Sequence, residues 1–260
     1  MFDFREISSK ENELIKQISK LQTSASYRKE TGLFVAEGLR ICNDCKDNFI
    51  KFKHLVFTKD FYCKFPNEVE GLSNFCDDNI LVTDNVFNKI SDTKSPQGIL
   101  AVGEIPVSAC SGISKNGKYI ALENISDPSN LGAVSRTAEA LGIDGIILSD
   151  NGCDPFSPKS IRASMGTLLR MPIYVLKDFV NEIAYLGLTT YACVVRNGEP
   201  VENIKFDKGS IVVIGNEANG LTDRMIEKSD KSITIKMSGR AESLNASVAA
   251  AIVMWELTKQ

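Results

Sequence analysis

The sequence has a single histidine, a single tryptophan and no apolar run that approaches the roughly 20 residues of a membrane-spanning helix. Its opening stretch, MFDFREISSKENELIKQ, is charged and polar, so no secretory signal is expected. The seven cysteines are scattered and odd in number, which favours a reducing cytoplasm over a disulfide framework. These absences predict a soluble cytoplasmic protein that does not associate with a membrane.

Residue types that usually carry metal or proton chemistry are sparse. Cys42 and Cys45 have C-x-x-C spacing, but neither a second pair nor a histidine cluster follows, so no metal site is expected. The histidine, His54, lies in the alternating run KFKHLVFT, which is typical of a strand, so any proton transfer is expected to use other residues. The sequence also lacks a P-loop and a strand followed by G-x-G-x-x-G, which weakens NTP-dependent and NAD-dependent interpretations.

Neither sign of charge dominates the chain. The 30 Lys and Arg residues and 33 Asp and Glu residues give a net charge of −3. Broad, non-specific nucleic-acid binding needs clustered positive charge, so this balance argues against it. Between Arg5 and Lys53 the basic residues slightly outnumber the acidic ones. A solvated surface and an RNA-facing edge are both open interpretations of that stretch.

At 260 residues, of which 43% are apolar, the chain is long enough for two modest domains. Short strands and amphipathic helices, around a polar gap at SASYRKETG, predict a small α/β domain over residues 1–107. Residues 108–117 are rich in Ser and Gly, which is typical of a linker. In the first domain the predicted helices are 10–22, 39–46 and 84–90, and the predicted strands are 33–35, 52–57, 80–83 and 99–102.

Residues 118–260 again alternate strands with helix-length segments, which predicts a second α/β domain with a parallel sheet and crossover helices. A domain of this kind commonly binds a nucleotide or a cofactor. The predicted strands are 119–123, 145–148, 189–195, 210–214 and 232–236, and the predicted helices are 131–141, 159–165, 178–186, 223–228 and 246–258.

The first stretch that could carry chemistry is ENISDPSNLGAVSR, residues 123–136. A strand ends there, an Asp-Pro pair predicts a turn, and Asn130 lies where the N-cap of a helix is expected. Arg136 follows on the same helix. A structural interpretation stays open, in which Asn130 only caps the helix and Arg136 only pairs with an acid such as Glu139.

Two more stretches follow. Residues 211–221, IVVIGNEANGL, are a buried strand that leads into a loop whose glycines would let main-chain groups approach a ligand. Residues 233–256 form a strand, a turn and an apolar helix in which Val248, Ile252 and Trp255 recur at helical spacing. Each stretch also has a plain interpretation. Residues 211–221 could be an ordinary strand-to-helix turn, and residues 233–256 could end in a helix packed on a sheet, with Ser243 and Asn245 placed to cap its start.

Taken together and in order, the three stretches resemble the motifs of the SpoU/TrmH family of RNA ribose 2′-O-methyltransferases, in the SPOUT superfamily. The resemblance covers essentially the whole chain, because the N-terminal domain resembles the substrate-binding domain of rRNA-modifying members, with the fold of small ribosomal RNA-binding proteins. Lys236 and Ala246 stand where Pro and Val are common, and neither departure removes a functional group. The matching residues are Asn130 and Arg136 in N-x-x-x-x-x-R, Gly215, Glu217 and Gly220 in G-x-E-x-x-G, and Ser243, Leu244 and Asn245 in S-L-N.

The resemblance implies a C-terminal parallel sheet whose end is threaded through a loop as a deep trefoil knot, which departs from the usual rule against knotted chains. It also implies a homodimer and the cofactor S-adenosylmethionine, held in the knot mainly by backbone groups. Carried over to this sequence, the cofactor-binding residues are Ile214, Gly215, Asn216, Gly220, Ile235, Met237 and Leu244.

The resemblance assigns catalysis to Arg136, acting across the dimer, with Asn130, Glu217, Ser243 and Asn245 fixing the arrangement by hydrogen bonds. A guanidinium is very hard to deprotonate, so we expect Arg136 to grip a phosphate and orient the ribose hydroxyl. The appended domain favours rRNA over tRNA as the substrate. Alternatives are tRNA ribose methylation, base methylation, and an idle RNA-binding or ribosome-assembly factor, against which the intact catalytic residues argue.

Overall fold

The computed structural model describes residues 3–106 and 108–259, which form two compact units. One unit holds the chain up to Pro106 together with Asp154–Arg170, and the other holds the remaining described residues. The predicted domain boundary at residue 107 lies outside the described residues. Within the described part of the chain, no helix is long and apolar enough to cross a membrane.

The N-terminal unit is built on a five-stranded mixed sheet. In chain order its elements are β1 (Arg5–Ile7), α1 (Glu13–Thr23), α2 (Ala25–Thr31), β2 (Leu33–Glu37), α3 (Leu39–Asp47), β3 (Phe52–Thr58), α4 (Lys59–Lys64), α5 (Pro66–Ser73), β4 (Cys76–Val82), α6 (Asp84–Ile90) and β5 (Ile99–Glu104). The strand order is β1-β4-β3-β5-β2. Strand β4 is parallel to β1 and β3, and β5 is antiparallel to β2 and β3.

Side chains alternate between the two faces of this sheet, as the pleat of a strand requires. Along β2, Phe34 and Ala36 join one hydrophobic core, and Val35 joins the other. Along β3, Leu55 and Val56 divide in the same way. Helices α1 and α6 cover one face and α3 and α5 cover the other, so the alternating pattern of the sequence produces two buried layers.

Helices α2, α4 and α5 and strand β1 were not predicted. Helix α2 falls in the stretch interpreted as a polar gap, because its one buried side chain is that of Arg28 and no apolar periodicity marks it. Its ends follow ordinary rules all the same. The Ser24 hydroxyl accepts the Tyr27 N–H at 3.2 Å, and the helix ends at Gly32 in the left-handed region.

The C-terminal unit contains a seven-stranded sheet in which every pairing is parallel, which confirms the predicted parallel sheet. From Lys118 onwards the elements are β6 (Lys118–Leu122), α7 (Pro128–Ala140), β7 (Gly145–Ser149), α8 (Pro158–Ser164), β8 (Ile173–Leu176), α9 (Phe179–Tyr185), β9 (Thr189–Cys193), β10 (Glu199–Pro200), β11 (Ser210–Ile214), α10 (Asp223–Lys228), β12 (Lys231–Thr234) and α11 (Ala246–Thr258). The strand order is β10-β12-β9-β11-β6-β7-β8. Strands β8 and β10 were not predicted.

The segment Asp154–Arg170, which includes α8, groups with the N-terminal unit, although it lies within the predicted C-terminal domain of residues 118–260. Its side chains Phe156 and Ile161 are buried in the same core as the N-terminal helices α3 and α5. The Asp154 carboxylate accepts a hydrogen bond from Arg28 Nε at 2.7 Å, and the Arg28 side chain is almost fully buried. Composition could not reveal this grouping, because the segment is distant in sequence from the core that it completes.

The cysteine and histidine residues that might have suggested metal or acid–base chemistry have contacts that indicate a structural role. Cys42 and Cys45 are fully buried in the N-terminal core, and burial raises the pKa of the Cys42 thiol to about 12. His54 lies in β3, as predicted, with Nδ1 at 3.1 Å from Asp78 Oδ2. Arg5 also contacts that carboxylate, with Nη2 at 2.6 Å from Oδ2. The contacts made by His54 are those of a strand side chain in a surface charge cluster.

Candidate functional site

A cavity of about 260 Å³ lies at the carboxyl ends of β9, β11 and β12. Open parallel sheets bind ligands at this edge, where the loops leave the strands. The cavity is lined by Ile214, Gly215, Asn216, Gly220, Ile235, Met237 and Leu244, which are the predicted cofactor-binding residues, and by Cys193, Val194, Val195, Glu217, Ala218, Asn219, Ser243, Ala246 and Ala249. The structure therefore brings the second and third motifs together, and the cofactor-binding role of their residues stays a prediction.

The loop after β11 is tightly folded around Gly215. A Cβ atom added to Gly215 would overlap the carbonyl carbon of Gly220 and the amide nitrogen of Leu221. Asn216 and Gly220 exchange two backbone hydrogen bonds of 3.0 and 2.9 Å, and Gly220 has a φ of +68°. Both glycines are required by geometry, one for close approach of two backbones and one for its left-handed conformation.

Side chains hold this loop in place as well. The Asn216 carboxamide accepts the N–H of Ala218 at 2.9 Å and donates to the Asn124 carbonyl at 2.8 Å. Asn124 has a φ of +54°, and its N–H donates to the Ser149 hydroxyl at 2.7 Å. The second motif is thereby fastened to the end of β6 and, through Ser149, to β7.

A directional chain of hydrogen bonds joins all three motifs. Asn245 Nδ2 donates to Asn130 Oδ1 at 3.0 Å, and Asn130 Nδ2 donates to Glu217 Oε1 at 2.7 Å. An ionised carboxylate only accepts, so Glu217 fixes which end of the Asn130 amide faces it. Asn245 Oδ1 accepts the Ser247 N–H at 2.9 Å at the start of α11, so its orientation is fixed too.

One capping prediction holds and one is wrong. Asn245 is the N-cap of α11, as the third motif suggested. Asn130 is not an N-cap, because α7 begins at Pro128 and the cap is Asp127, whose carboxylate accepts the Ser129 N–H at 2.9 Å. Asn130 instead lies in the first helical turn with its side chain buried, which is what lets it connect the other two motifs.

The pKa of Glu217 is lowered by its surroundings. Partial burial opposes ionisation, but hydrogen bonds from the Asn130 side chain and from the backbone N–H groups of Ser126 and Asp127 outweigh it. A folded-state pKa below the unfolded value stabilises the fold above the unfolded pKa, and this contribution is lost as pH falls through the folded pKa. The carboxylate is therefore ionised at neutral pH and acts as an acceptor.

Glu217→Gln is expected to lower the free energy of unfolding at pH 7 by about 1 kcal/mol, because one amide group would face donors that now meet a carboxylate oxygen. The deficit should shrink as the pH falls below 4.5, the ordinary value for a Glu, where the unchanged carboxylate also becomes protonated. Melting curves from pH 7 to pH 3.5 measure it, with the exposed Glu202→Gln as control. A deficit that does not depend on pH would contradict the assigned role of the charge.

Arg136 stands apart from the other predicted site residues. It does not line the cavity, and its exposed side chain makes no hydrogen bond or ion pair with any described residue, so the alternative of pairing with Glu139 is not observed. Six residues of α-helix turn by about 600°, so Arg136 and Asn130 leave α7 in different directions. Ser243 lines the cavity, and its hydroxyl makes no hydrogen bond with any described residue.

Several residues of the site were not predicted. Cys193, Val194 and Val195 line the cavity because β9 lies beside β11 in the sheet, an adjacency that sequence order does not reveal. Glu123 is buried at the end of β6, where its carboxylate accepts the Thr222 N–H at 2.8 Å and the Thr222 hydroxyl at 2.7 Å. A carboxylate directly after the apolar strand YIAL was the available signal for this contact.

The cavity offers main-chain groups and little charge. Between Ile235 and Leu244 the main chain makes no backbone–backbone hydrogen bond within residues 3–106 and 108–259. Unpaired peptide groups beside a cavity need water or a ligand as partner. Glu217 carries the one formal charge among the described lining residues, so a cationic ligand meets no opposing cation there.

Comparisons with known proteins agree with one another. Residues 117–255 match the SpoU rRNA Methylase family, and residues 12–101 match the MRM3-like substrate binding domain. The chain is 28% identical over 256 residues to the 23S rRNA (guanosine(2553)-2′-O)-methyltransferase RlmP of Bacillus subtilis, which covers 97% of this chain and 99% of that protein. An AdoMet-bound rRNA methyltransferase structure from Sinorhizobium meliloti matches with a TM-score of 0.85 and 29% identity, over 98% of this chain and 97% of that chain. A putative RNA methyltransferase of the TrmH family from Porphyromonas gingivalis matches with a TM-score of 0.81 and 28% identity, over 93% and 95%.

Proposed function

Since this chain belongs to the SpoU rRNA methylase family, we propose that it transfers a methyl group from S-adenosylmethionine to a ribose 2′-hydroxyl of ribosomal RNA. The observation that carries the proposal is the hydrogen-bond chain from Asn245 through Asn130 to Glu217, which gathers three distant segments beside one cavity. The 23S rRNA 2′-O-methyltransferase of Bacillus subtilis and the AdoMet-bound structure from Sinorhizobium meliloti, to which this chain is similar, support it.

The residues around the cavity fit S-adenosylmethionine. Half-buried Ile235, Met237 and Leu244 offer apolar surface for an adenine ring together with unpaired peptide groups that can bond its polar edge. The loop around Gly215 exposes main chain without side-chain obstruction, and Glu217 suits a positively charged donor. When bound, this cofactor supplies an electrophilic methyl group on a sulfonium.

The chain's own residues then have to hold the target ribose. We assign Arg136 to the phosphate beside it, because a free guanidinium makes charge-assisted, bidentate bonds to phosphate oxygens. Glu217 is a positioning residue, since its two oxygens are already occupied by Asn130, Ser126 and Asn216. Ser243 has no hydrogen-bond partner for its hydroxyl among the described residues, so it can offer that hydroxyl to the incoming ribose. Orientation of this kind is a large part of what a displacement reaction requires.

We also propose a homodimer in which Arg136 serves the partner subunit's site. Helix α11 packs on α7, yet it leaves Val248 46% and Trp255 54% exposed with Ile252 half-buried between them. An apolar helix face of this kind is typical of an interface between subunits. A knotted C-terminal thread and a reducing, cytoplasmic location belong to the same proposal, the first supported by the fold of the matching structures and the second by seven free thiols.

The test of this function is methyl transfer from labelled S-adenosylmethionine to bacterial 23S rRNA, followed by mapping of the 2′-O-methyl position. S-adenosylmethionine should also raise the melting temperature, because a ligand that binds the folded state stabilises it. RNA carrying a 2′-deoxy sugar at the mapped position should accept no methyl group. Transfer to that RNA would indicate base methylation, transfer to tRNA alone would change the substrate, and the absence of both cofactor binding and transfer would leave an idle RNA-binding protein.

A further inference from the structure

A second cavity, of about 270 Å³, lies in the N-terminal unit where the start of α3 meets the segment between α6 and β5. We call it the α3 groove. It is lined by Glu37, Gly38, Arg40, Ile41, Thr93, Ser95 and Gln97. None of these residues belongs to the cavity of the C-terminal unit or to the three motifs.

The conformation of the groove depends on Gly38 and Gln97. Gly38 has a φ of +94°, and Gln97 Oε1 lies 3.2 Å from where its Cβ would be. Gln97 Oε1 accepts the Leu39 N–H at 2.9 Å, which orients the amide. The Gln97 Nε2 group is thereby left as a donor with no partner within residues 3–106 and 108–259.

The other groups at the groove that have no partner among the described residues can also donate hydrogen bonds. Arg40 and Ser95 are exposed, and neither side chain makes a hydrogen bond or ion pair within the described residues. Lys94, between Thr93 and Ser95, is exposed and equally unpaired within that part of the chain. Arg40 lines the groove and Lys94 directly precedes the lining residue Ser95, so two cations that have no acidic partner among the described residues lie at or next to it.

Glu37, the acidic residue in the lining of the groove, and the neighbouring Asp92 are both already engaged. Glu37 Oε1 accepts the hydroxyls of Ser91 and Thr93, the latter at 2.7 Å, and Oε2 accepts the Asp92 N–H at 2.9 Å. The Asp92 carboxylate pairs with Arg162 Nη2 at 2.5 Å. With the carboxylates occupied in holding the loop, the groups left for a ligand are donors and cations, which select an anion.

We propose that the α3 groove binds the phosphodiester backbone of the RNA substrate, with Arg40 and Lys94 contacting phosphate and Ser95 and Gln97 donating hydrogen bonds. This inference rests on the proposed function and adds the place where the N-terminal unit holds RNA. Exposed cations on an open groove suit a long polyanion, because each contact releases counterions from it. Contacts of this kind position an RNA and carry no sequence information.

The first test measures the affinity of the full-length protein for 23S rRNA as a function of salt. Arg40→Ala combined with Lys94→Ala is expected to weaken binding about tenfold and to reduce the slope of log Kd against log salt by about 1.5, since each lost phosphate contact removes slightly less than one unit. Lys64→Ala is the matched control, because Lys64 is also exposed and unpaired within the described residues. A double variant that binds like the control overturns the proposal.

The second test uses Gln97→Glu, which keeps the acceptor for the Leu39 N–H and replaces the free donor by negative charge. A carboxylate at the start of α3 is favourable for the helix, so the melting temperature should stay the same or rise. RNA affinity should nevertheless fall at least about threefold, because the new charge faces phosphate. Opposite changes in the two quantities exclude simple misfolding, and unchanged RNA affinity in this variant counts against the groove.

The outcomes separate this inference from the proposed function. If the unchanged protein methylates 23S rRNA and the groove variants have the same KM for RNA as the unchanged protein, the proposal for the α3 groove is wrong and the proposed function stands. If the unchanged protein transfers no methyl group, the function fails whatever the groove variants do. Inorganic phosphate that raises the melting temperature of the unchanged protein, without competing with RNA, would assign the groove to a free anion and overturn the proposal.

Discussion

Arg136→Ala is expected to lower the rate of methyl transfer to RNA by at least about 1,000-fold, because loss of a preorganised charged donor costs 100- to 1,000-fold and its positioning role adds to that. The affinity for S-adenosylmethionine should stay within about twofold, since an interaction made away from the cofactor affects the transferring step rather than cofactor binding. The structure favours this separation, because Arg136 is exposed and does not line the cavity. Single-turnover rates and calorimetry measure the two quantities.

Two variants serve as controls for this result. Arg224→Ala removes the same side chain from α10, where Arg224 lies 3.9 Å from Asp178, and it should leave the rate unchanged. Arg136→Lys keeps the charge but loses the planar fork, so an intermediate rate is expected. Full turnover by Arg136→Ala would contradict the role assigned to the guanidinium.

Mixing variants tests whether Arg136 acts on the partner subunit. Leu244→Asp should block cofactor binding, because it places a charge in the apolar part of the cavity. Random pairing of Arg136→Ala with Leu244→Asp subunits should restore about a quarter of the activity, since half the dimers are mixed and each has one complete site. If Arg136 served its own subunit, the mixture would stay inactive.

The three motifs could be predicted from the sequence because each is a local block of polar and glycine residues directly after an apolar strand. The same locality limited the prediction on α7. The sequence shows that Asn130 and Arg136 share a helix, but only the start of that helix, at Pro128, decides that Asn130 is buried rather than a cap. The partner that Asn130 meets, Glu217, is far away in the chain and was not available to local reasoning.

Helix α11 shows a second limit of prediction from the sequence. Val248, Ile252 and Trp255 have helical spacing, but the structure buries Ala246, Ala250, Val253, Met254 and Leu257 against the sheet and α7. A helix that is apolar on nearly every face gives periodicity no means of choosing the buried one. The buried set packs within the chain, whereas Val248, Ile252 and Trp255 lie on the side of the helix that faces outwards.

The segment Asp154–Arg170 shows a third limit, and it changes how a truncation has to be designed. Removal of residues 1–107 would leave Phe156 and Ile161 without the core in which they are buried, and Asp154 without Arg28. Loss of cofactor binding in such a fragment could then result from the newly exposed apolar side chains, and it would not demonstrate a role of the N-terminal unit in the reaction. Point variants such as those at Arg40 and Gln97 avoid this difficulty.

Gly215→Ala is expected to weaken S-adenosylmethionine binding by at least about 100-fold and to lower the melting temperature, because the overlap it creates involves backbone atoms that cannot rotate away. The added Cβ would meet the carbonyl carbon of Gly220 and the amide nitrogen of Leu221. One side of the loop must therefore move, and the two hydrogen bonds between Asn216 and Gly220 move with it. Calorimetric titration of the cofactor and melting of the free protein measure the two effects.

Two other glycines of the same region separate close contact from backbone conformation. Gly239→Ala has open space and an ordinary φ, so cofactor affinity and melting temperature should both be unchanged. Gly220→Ala also has open space but a φ of +68°, so it should cost about 1 kcal/mol of stability without a collision. From these distances and angles, the effect of the substitution should be largest at Gly215, smaller at Gly220 and smallest at Gly239. Equal effects at Gly215 and Gly239 would show that the loop does not shape the cofactor site.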